Sequence, residues 1–345
     1  MLLNRIERMA REQGYHGLLV EAPEDRRLPA LIVPPLRKII LAIDTGEKVR
    51  SGARLALRAL RNFASVFKVS VGAAEFGVDP ARGVADSGDI EEDLTDLLVA
   101  VAEAARESDT AVALLIDEIQ YLKREDLAAL IVAVHRIGQK ELPLTLFGAG
   151  LPQLAALAGE AKSYAEGLFA CPDVGALSVE SAKDALREPA RRSGVDYEEA
   201  ALELILKRTR GYPYFLQEWG SHAWLAATGS PITMEDAERA TANAVAHLDS
   251  GFFRVRLDRL RPREKDYMRA MADLGAGPHR SGDIAARMKA PVESVAPIRR
   301  NLISKGMIYS PAHGDTAFTV PMFDEFLRRS MPEGPSASRL AERSR

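Results

Sequence analysis

The strongest constraint on the fold is an uninterrupted apolar run, Ala111-Val-Ala-Leu-Leu-Ile116, which ends at Asp117. A strand with one face in water alternates apolar and polar residues, so a continuous run indicates a strand covered on both faces, as in parallel sheets. Helical patterns flank it at 89–107 and 124–139. This arrangement predicts an α/β domain with three layers, helix on sheet on helix.

The same alternation extends through the first half of the chain. Further strands are predicted at 17–22, at 143–148 and near 175–178, with a short strand and a loop over 68–88. Helices are predicted at 2–13, 28–46, 51–66 and 152–158. Pro34-Pro35 is expected to kink or split the second of these helices. We assign residues 1–179 to this α/β core.

The strand pattern stops after about residue 180. Helical patterns at 180–193, 197–208, 213–227 and 234–260 predict a helical subdomain over 180–261. Three more helices, at 262–274, 281–288 and 292–305, precede two short strands joined by a turn at 313–315. Three helices and a hairpin are the plan of a winged helix, assigned to 262–330. The tail 331–345 is expected to be disordered.

Charge is divided unevenly along the chain. Residues 251–330 carry 15 Lys and Arg against 9 Asp and Glu, whereas residues 1–250 carry 28 against 38. A basic module on an acidic body often accompanies nucleic-acid contact. The single cysteine, Cys171, excludes an internal disulfide, and no apolar run approaches the ~18 residues of a membrane span. A cytoplasmic protein without membrane contact is therefore expected.

The residues after the apolar run carry the clearest chemistry. Ligands of an open parallel sheet bind beyond the carboxyl ends of its strands, where Asp117 and Glu118 are expected to lie. In phosphoryl transfer one carboxylate can hold Mg²⁺ while another orients or deprotonates the attacking water. We assign Asp117 to the metal and Glu118 to catalysis. The alternative is that both carboxylates only open the loop after a strand.

A phosphate-binding counterpart is missing from the sequence. The string G-x-x-x-x-G-K-[ST], whose backbone N–H groups and lysine hold phosphates, does not occur in the 345 residues. The nearest glycine spacing runs from Gly72 to Gly77, and Val78 stands where lysine would be. Only half of a nucleotide site is present.

Several strings make the chain similar to prokaryotic AAA+ ATPases of the clade that includes archaeal replication initiators and STAND-type regulators. They are Leu-Leu-Ile-Asp-Glu-Ile-Gln at 114–120, Gly-Ala-Gly-Leu-Pro-Gln-Leu at 148–154, Lys-Ser-Tyr-Ala-Glu at 162–166, Gly-Tyr-Pro-Tyr-Phe-Leu-Gln-Glu-Trp at 211–219 and Tyr-Ser-Pro-Ala-His-Gly-Asp-Thr-Ala-Phe at 309–318. The resemblance implies a P-loop NTPase core, a helical lid and a C-terminal winged helix. It also implies ATP and Mg²⁺ as ligands and Asp117-Glu118 as the Walker B pair.

The resemblance places helix 2–13 directly after the Walker A loop. The strand before that loop is central in the family's sheet, between the strands that match 143–148 and 175–178. Removing it would leave unpaired backbone groups in a buried sheet, at about 1–3 kcal/mol each. We therefore expect the natural protein to start upstream of Met1, with the first strand and Walker A preceding this chain.

Other positions depart from the family pattern. By resemblance, Gly211, Tyr212 and Pro213 form the lid motif that contacts nucleotide. Tyr214 follows them in place of an arginine that senses the γ-phosphate, and Gly148-Ala-Gly150 replaces a polar sensor. Gly167 stands where relatives have an arginine that can act on a neighbour's nucleotide or pair structurally. These differences favour nucleotide-dependent switching over turnover.

The third helix of the predicted winged helix is the candidate recognition helix. The candidate DNA-binding residues are Arg299, Arg300 and Lys305 on this helix and His313 at the wing tip. Alternatively, Arg299 and Arg300 only keep the exposed face of a helix in contact with water, or the module docks on a protein. Elsewhere, His222, His247 and His279 have no partner at ligand spacing, and a structural role is expected for them.

Two main hypotheses follow. In the first, closure of the core and lid on ATP and Mg²⁺ reorients the winged helix toward DNA or a protein partner, and self-association is compatible because AAA+ relatives often form rings. In the second, a degenerate ATPase body supports DNA or adaptor binding without catalysis. A toxin–antitoxin or defence-system ATPase is a third reading that one chain does not discriminate.

Overall fold

The computed structural model describes residues 2–43, 50–69, 83–172, 174–312 and 314–332. The chain divides into two compact units, Met1–Pro172 and Asp173–Arg345. None of the described helices combines the length and apolar content needed to cross a membrane. The glycines at 72 and 77, His313, which was predicted at a wing tip, and the tail from 333 lie outside the described residues.

The first unit is built on a parallel sheet of three described strands in the order β1-β2-β3. These are β1 (His16–Glu21), β2 (Val112–Asp117) and β3 (Leu144–Gly148). Residues 112–116 of β2 are all buried, as the uninterrupted apolar run predicted. The predicted α/β class with a parallel sheet is therefore confirmed, and β2 is its central described strand.

Seven helices are described in the first unit, and they bury both faces of the sheet. They are α1 (Leu2–Glu12), α2 (Leu28–Ile43), α3 (Arg50–Val66), α4 (Ile90–Glu107), α5 (Arg124–Gln139), α6 (Leu154–Ala161) and α7 (Ala165–Leu168). Alternate side chains of β2 point to opposite faces. Leu114 joins the large core formed with α2 to α5, whereas Leu115 packs in a smaller cluster with Leu3 of α1.

The expected split of α2 and one expected strand are not found in this region. Helix α2 runs unbroken through Pro34 and Pro35, so the prolines do not split it. Nine of its 16 residues are buried, and that burial offsets the ~3 kcal/mol that an interior proline costs. The strand expected near 175–178 is not formed, since residues 174–178 are irregular and the Leu177 N–H bonds to the carbonyl of Gly211 at 2.9 Å. Gly175 and the exposed Val174 give this segment little reason to join a sheet.

The second unit begins with a group of packed helices. They are α8 (Val179–Arg192), α9 (Glu199–Thr209), α10 (Pro213–Ala226), α11 (Met234–Leu248) and α12 (Arg254–Asp258). The long helix predicted over 234–260 is interrupted by a π-helical turn at Asp249–Phe253. Phe253 of this turn is fully buried, so the turn directs an aromatic side chain into the core.

The remainder of the second unit mixes helices with a small antiparallel sheet. Its elements are α13 (Pro262–Leu274), β4 (His279–Arg280), α14 (Ser281–Arg287), α15 (Val292–Ser304), β5 (Ile308–Tyr309), β6 (Asp315–Phe318) and α16 (Phe323–Ser330). The strand order is β4-β6-β5. Helix α16 was not expected from the sequence. One hydrophobic cluster contains residues from α8 through α16, so the segments 180–261 and 262–330 share a core.

Candidate functional site

The acidic pair lies where the buried central strand reaches the edge of the sheet. Asp117 ends β2 and is half-buried, as is Glu118 after it. Glu21 ends the neighbouring strand β1 and is paired in register with Asp117. Neighbouring strands lie about 4.8 Å apart, so three carboxylates share this edge. Glu21 was not predicted as a site residue, although a charged residue at the end of the strand preceding β2 was a usable signal.

The turn after Asp117 is held in an unusual conformation. Glu118 has φ 53° and ψ 34°, a left-handed backbone that costs a residue with a side chain about 1–2 kcal/mol. Two hydrogen bonds hold the turn against the end of β3. The N–H of Ile119 donates to the carbonyl of Ala149 at 3.0 Å, and the N–H of Ala149 donates to the carbonyl of Ile116 at 2.9 Å.

Gln120 fixes the carboxylate of Glu118. Its amide nitrogen donates to Glu118 Oε2, and its amide oxygen accepts from the backbone N–H of Leu151 at 3.2 Å. Asp117 Oδ1 accepts from the backbone N–H of Glu118 at 3.0 Å. Each carboxylate therefore has one oxygen engaged and a second with no protein partner among the described residues. Gln120 was not among the predicted site residues.

The glycines that replace the expected polar sensor have a steric reason. A methyl group on Gly148 would lie 3.1 Å from Ile119 Cδ1, and one on Gly150 would collide with the amide oxygen of Gln120. Small residues at these two positions therefore allow the 148–151 segment to approach the turn closely. The closeness keeps Gln120 within reach of both Glu118 and Leu151.

The donor set at this edge fits Mg²⁺. Carboxylate oxygens are hard ligands, and Mg²⁺ in proteins is commonly held by one or two carboxylates together with water and substrate phosphates. Asp117 offers a free oxygen for such a role, and Glu118 offers another beside it. The phosphate-binding string, in contrast, does not occur in the sequence. The described residues can thus bind a hydrated cation and orient water.

The predicted nucleotide-contacting motif lies in the second unit. Gly211 has φ +72°, and a methyl group there would lie 2.7 Å from the carbonyl oxygen of Leu177. Tyr212 is the N-cap of α10, and Pro213 occupies its first turn, where a missing N–H costs nothing. The three residues together make a tight entry into α10.

Two of the four candidate DNA-binding residues make bonds within the protein. The Arg299 guanidinium donates to Thr316 Oγ1, Ser310 Oγ and the Asp315 carbonyl, each at 2.8 Å, and so ties α15 to the β5–β6 hairpin. Lys305 Nζ lies 2.6 Å from Glu264 Oε2, and Glu264 is buried.

Arg300 is exposed and has no ion-pair or hydrogen-bond partner within the described residues. Several other arginines of this region, in contrast, form ion pairs. The pairs are Arg269 and Arg287 with Asp273, Arg280 with Asp315, Arg328 with Asp324 and Arg329 with Asp249. Three exposed arginines lie near the start of α13, namely Arg259, Arg261 and Arg263. The accessible positive charge is therefore smaller than the sequence count suggests.

The expectation that His222 and His247 lack partners at ligand spacing is wrong. Glu218 Oε1 contacts His222 Nε2 at 3.2 Å and also His247 Nδ1. His247 comes from α11, whereas Glu218 and His222 are on α10, so linear spacing did not show the group. His279 lies apart, with its Nε2 3.1 Å from the carbonyl of Gly275.

Comparison with known proteins gives limited similarity. A family model described as a domain of unknown function, DUF8462, matches residues 250–327. No curated protein matches the chain. The matched segment begins in the π-helical turn and ends within α16.

Several solved structures resemble the chain. The Thermotoga maritima RuvB Holliday junction branch migration motor is 17% identical, with 68% of this chain and 81% of that chain covered and a TM-score of 0.36. Cdc6p from Pyrobaculum aerophilum is 13% identical, with 97% and 84% covered and a TM-score of 0.41. The Aeropyrum pernix ORC1 protein, solved in complex with DNA, is 14% identical, with 98% and 83% covered and a TM-score of 0.42. Similarity this low defines neither an activity nor a partner for this chain.

Proposed function

We propose that this chain is the body of an AAA+-type ATPase that acts as a nucleotide-dependent switch coupled to a DNA- or protein-binding winged helix. The observation that carries the proposal is the position of Asp117 and Glu118 at the carboxyl end of the central described strand of a parallel sheet. This is where open α/β sheets bind ligands and where an acidic pair serves phosphoryl transfer.

In the proposed site, Asp117 supplies the carboxylate for Mg²⁺, held through water. When bound, Mg²⁺ would neutralise charge on the phosphates of ATP. Glu118 orients the attacking water and accepts its proton through the oxygen that Gln120 does not engage. Gly211, Tyr212 and Pro213 would contact the nucleotide from the lid.

Gln120 offers a route from the site to the rest of the first unit. It bonds Glu118 with one end of its amide and the Leu151 N–H with the other. A shift of the 148–151 segment would therefore move Gln120 and change the position of the Glu118 carboxylate. This coupling suits a switch, because it links the acidic pair to a neighbouring strand end.

The elements after residue 261 support the winged-helix part of the proposal. A helix, a short strand, two helices and a hairpin follow one another, and the three strands pair in one small sheet. In this proposal the exposed Arg300 contacts DNA phosphate, with His313 expected at the wing tip. Arg299 and Lys305 hold the hairpin and α13 in place.

A second candidate is a non-catalytic DNA-binding or adaptor protein built on the same body. The observation that favours it is the sequence itself, in which no G-x-x-x-x-G-K-[ST] string occurs. Here Asp117 and Glu118 only close the turn after β2, and the winged helix binds its target without a nucleotide signal.

Nucleotide titration of this chain and of a version extended upstream of Met1 separates the two candidates. In the first, ATP binds measurably in Mg²⁺, and Asp117→Asn weakens that binding while leaving binding in a chelator unchanged. Where the unaltered protein releases phosphate, Glu118→Gln is expected to retain nucleotide and to lower that release. The matched control is Glu125→Gln, which removes an exposed carboxylate of α5 and is expected to change neither. Absence of nucleotide binding both to this chain and to a folded version extended upstream of Met1 would leave the second candidate standing.

Filter binding at graded salt concentrations tests the DNA surface. Arg300→Ala is expected to weaken DNA retention and to lower the slope of log affinity against log salt by about 1, as for one phosphate contact. Arg208→Ala, which removes an exposed arginine of α9, serves as the control. If Arg300→Ala behaves like Arg208→Ala, the winged helix docks on a protein or uses another face.

A further inference from the structure

A three-residue group outside the acidic pair has the composition of a metal site. Glu218, His222 and His247 each offer one ligand atom, and the three atoms lie within 4.8 Å of one another. Two imidazoles and one carboxylate are a donor set that suits zinc, whereas Mg²⁺ and Ca²⁺ favour oxygen ligands alone. The group belongs to the second unit, whereas Asp117 and Glu118 belong to the first.

The geometry is close to what a zinc ion requires. Zinc bonds of about 2.0–2.1 Å in a tetrahedron place neighbouring ligand atoms about 3.3–3.4 Å apart. Glu218 Oε1 and His222 Nε2 are 3.2 Å apart, which matches that spacing, whereas Glu218 Oε1 and His247 Nδ1 are closer, at 2.5 Å. All three ligand atoms lie within 4.8 Å of one another. The His247 side chain is 65% exposed, so its rotation can widen the separation from Glu218 Oε1 to the spacing that zinc requires.

The two helices that carry the ligands are fixed independently of any metal. Glu218 and His222 are four residues apart and share one face of α10. Trp219, next to Glu218, is fully buried, and its indole N–H donates to Thr241 Oγ1 of α11 at 3.1 Å. Helix packing therefore presents His247, near the end of α11, to the pair on α10, and ligands on rigid elements are pre-organised for binding.

We propose that Glu218, His222 and His247 form a Zn²⁺ site that joins α10 to the C-terminal end of α11. Three protein ligands leave a fourth tetrahedral position, which faces solvent beside the exposed His247. Water fills that position. The ion cross-links the helices immediately before the π-helical turn and so stabilises the connection into α12 and α13.

Calorimetric titration of the chelator-treated full chain with zinc chloride tests the site. One Zn²⁺ per chain is expected, with a rise in melting temperature that magnesium chloride does not reproduce. Glu218→Gln keeps the side-chain shape and removes the charge, while His247→Gln removes an exposed ligand. Each is expected to weaken zinc binding more than about 10-fold, because even losing an outer partner of a metal ligand costs about 10–100-fold.

The control is His279→Gln, which removes an imidazole of the same unit that lies outside the group. It is expected to leave zinc affinity unchanged, and circular dichroism checks that every variant is folded. Absence of saturable binding to the unaltered chain would overturn the site and leave a hydrogen-bonded His–Glu–His bridge. Zinc binding that survives His247→Gln would overturn the three-ligand assignment.

Discussion

Among single residues, Gly211 is at a position where both the backbone conformation and the space around it disfavour a side chain. Its φ is +72°, and a Cβ would lie 2.7 Å from the Leu177 carbonyl oxygen. We expect Gly211→Ala to lower the free energy of unfolding by about 1–3 kcal/mol, the cost of a left-handed residue with a side chain. Urea denaturation followed by circular dichroism measures this.

Gly282→Ala is the matched control for that substitution. Gly282 lies in α14 of the same unit, and a Cβ there meets nothing within 4 Å. Alanine in a helix is favoured over glycine by about 0.5–1 kcal/mol, so this change is expected to be neutral or stabilising. Equal losses from the two substitutions would contradict the steric account of Gly211.

Glu264 gives the second unit a specific dependence on pH. Burial alone would raise the pKa of Glu264, but hydrogen bonds from Lys305 Nζ and the backbone N–H of Arg261 outweigh it and lower that pKa below its ordinary value of 4.5. Since the folded pKa is the lower one, the charged carboxylate stabilises the fold above the unfolded pKa. That stabilisation is lost as the pH falls through the folded pKa.

The stability difference between the unaltered chain and Glu264→Gln is therefore expected to be largest near neutral pH. It should shrink as the pH falls below about 4.5, where the unfolded carboxyl takes up its proton first. Urea midpoints at several pH values measure the difference. Glu203→Gln, an exposed substitution in α9, is the control. A difference that does not vary with pH would show that Glu264 is not an ionised partner of Lys305.

At the scale of elements, Asp126 fastens the start of α2 to α5. Its carboxylate is fully buried, accepts two bonds from Arg27 at 2.7 and 2.8 Å, and accepts the Leu28 N–H at 3.0 Å. We expect Asp126→Ala to cost about 2–3 kcal/mol, below the 3–5 kcal/mol of a fully buried pair because Arg27 is partly exposed. Chemical denaturation is the measurement.

Glu125 supplies a closely matched control. It pairs with the same arginine at 2.9 Å, but its side chain is 56% exposed. Glu125→Gln should therefore cost less than about 1 kcal/mol, the usual value of an exposed pair. If both substitutions cost the same, the role of Asp126 in fastening the start of α2 to α5 is contradicted.

Elements were predictable from the sequence where one local pattern decides them. The unbroken apolar run fixed β2 as a covered strand, and periodicity located most helices to within a few residues. Helix α16 was overlooked although Phe323, Phe326 and Leu327 have helical spacing. The strand predicted near 175–178, in contrast, is not formed. A strand also needs a partner strand, and the local sequence does not show whether one is present.

The candidate sites were only partly predictable, because pairing between distant residues leaves no local pattern. The acidic pair followed from its place after a strand. The sequence did not show that the Arg299 guanidinium bonds to the β5–β6 hairpin. Glu218 and His222 show the i, i+4 spacing of ligands on a helix, but only helix packing brings His247 to them.

Across the whole second unit, the predicted lid and winged helix share one hydrophobic core, which affects whether they unfold together. Phe253 is fully buried between the two segments. Its ring lies 6.1 Å from that of Phe215 on α10, and 5.6 and 5.3 Å from those of Phe323 and Phe326 on α16. The boundary between a lid and a winged helix at 261/262 remains a prediction. The hydrophobic core contains residues from both sides of that boundary.

We therefore expect residues 179–330 to unfold as one cooperative unit. Phe253→Ala removes the ring that joins the segments and is expected to cost about 3–5 kcal/mol, as for a buried aromatic. In native-state hydrogen exchange, the slowest amides of α10 and α13 should lose protection by the same amount, because both exchange through the same global opening.

Leu225→Ala is the control, since this leucine of α10 is 76% exposed and its loss should leave protection unchanged. A fall in protection confined to α13, with α10 unaffected by Phe253→Ala, would mean that the C-terminal module opens by itself. Such independent opening would favour a winged helix released by a nucleotide signal. A joint loss means instead that any signal reaching the second unit moves lid and winged helix together, so that the switch acts on this unit as a whole.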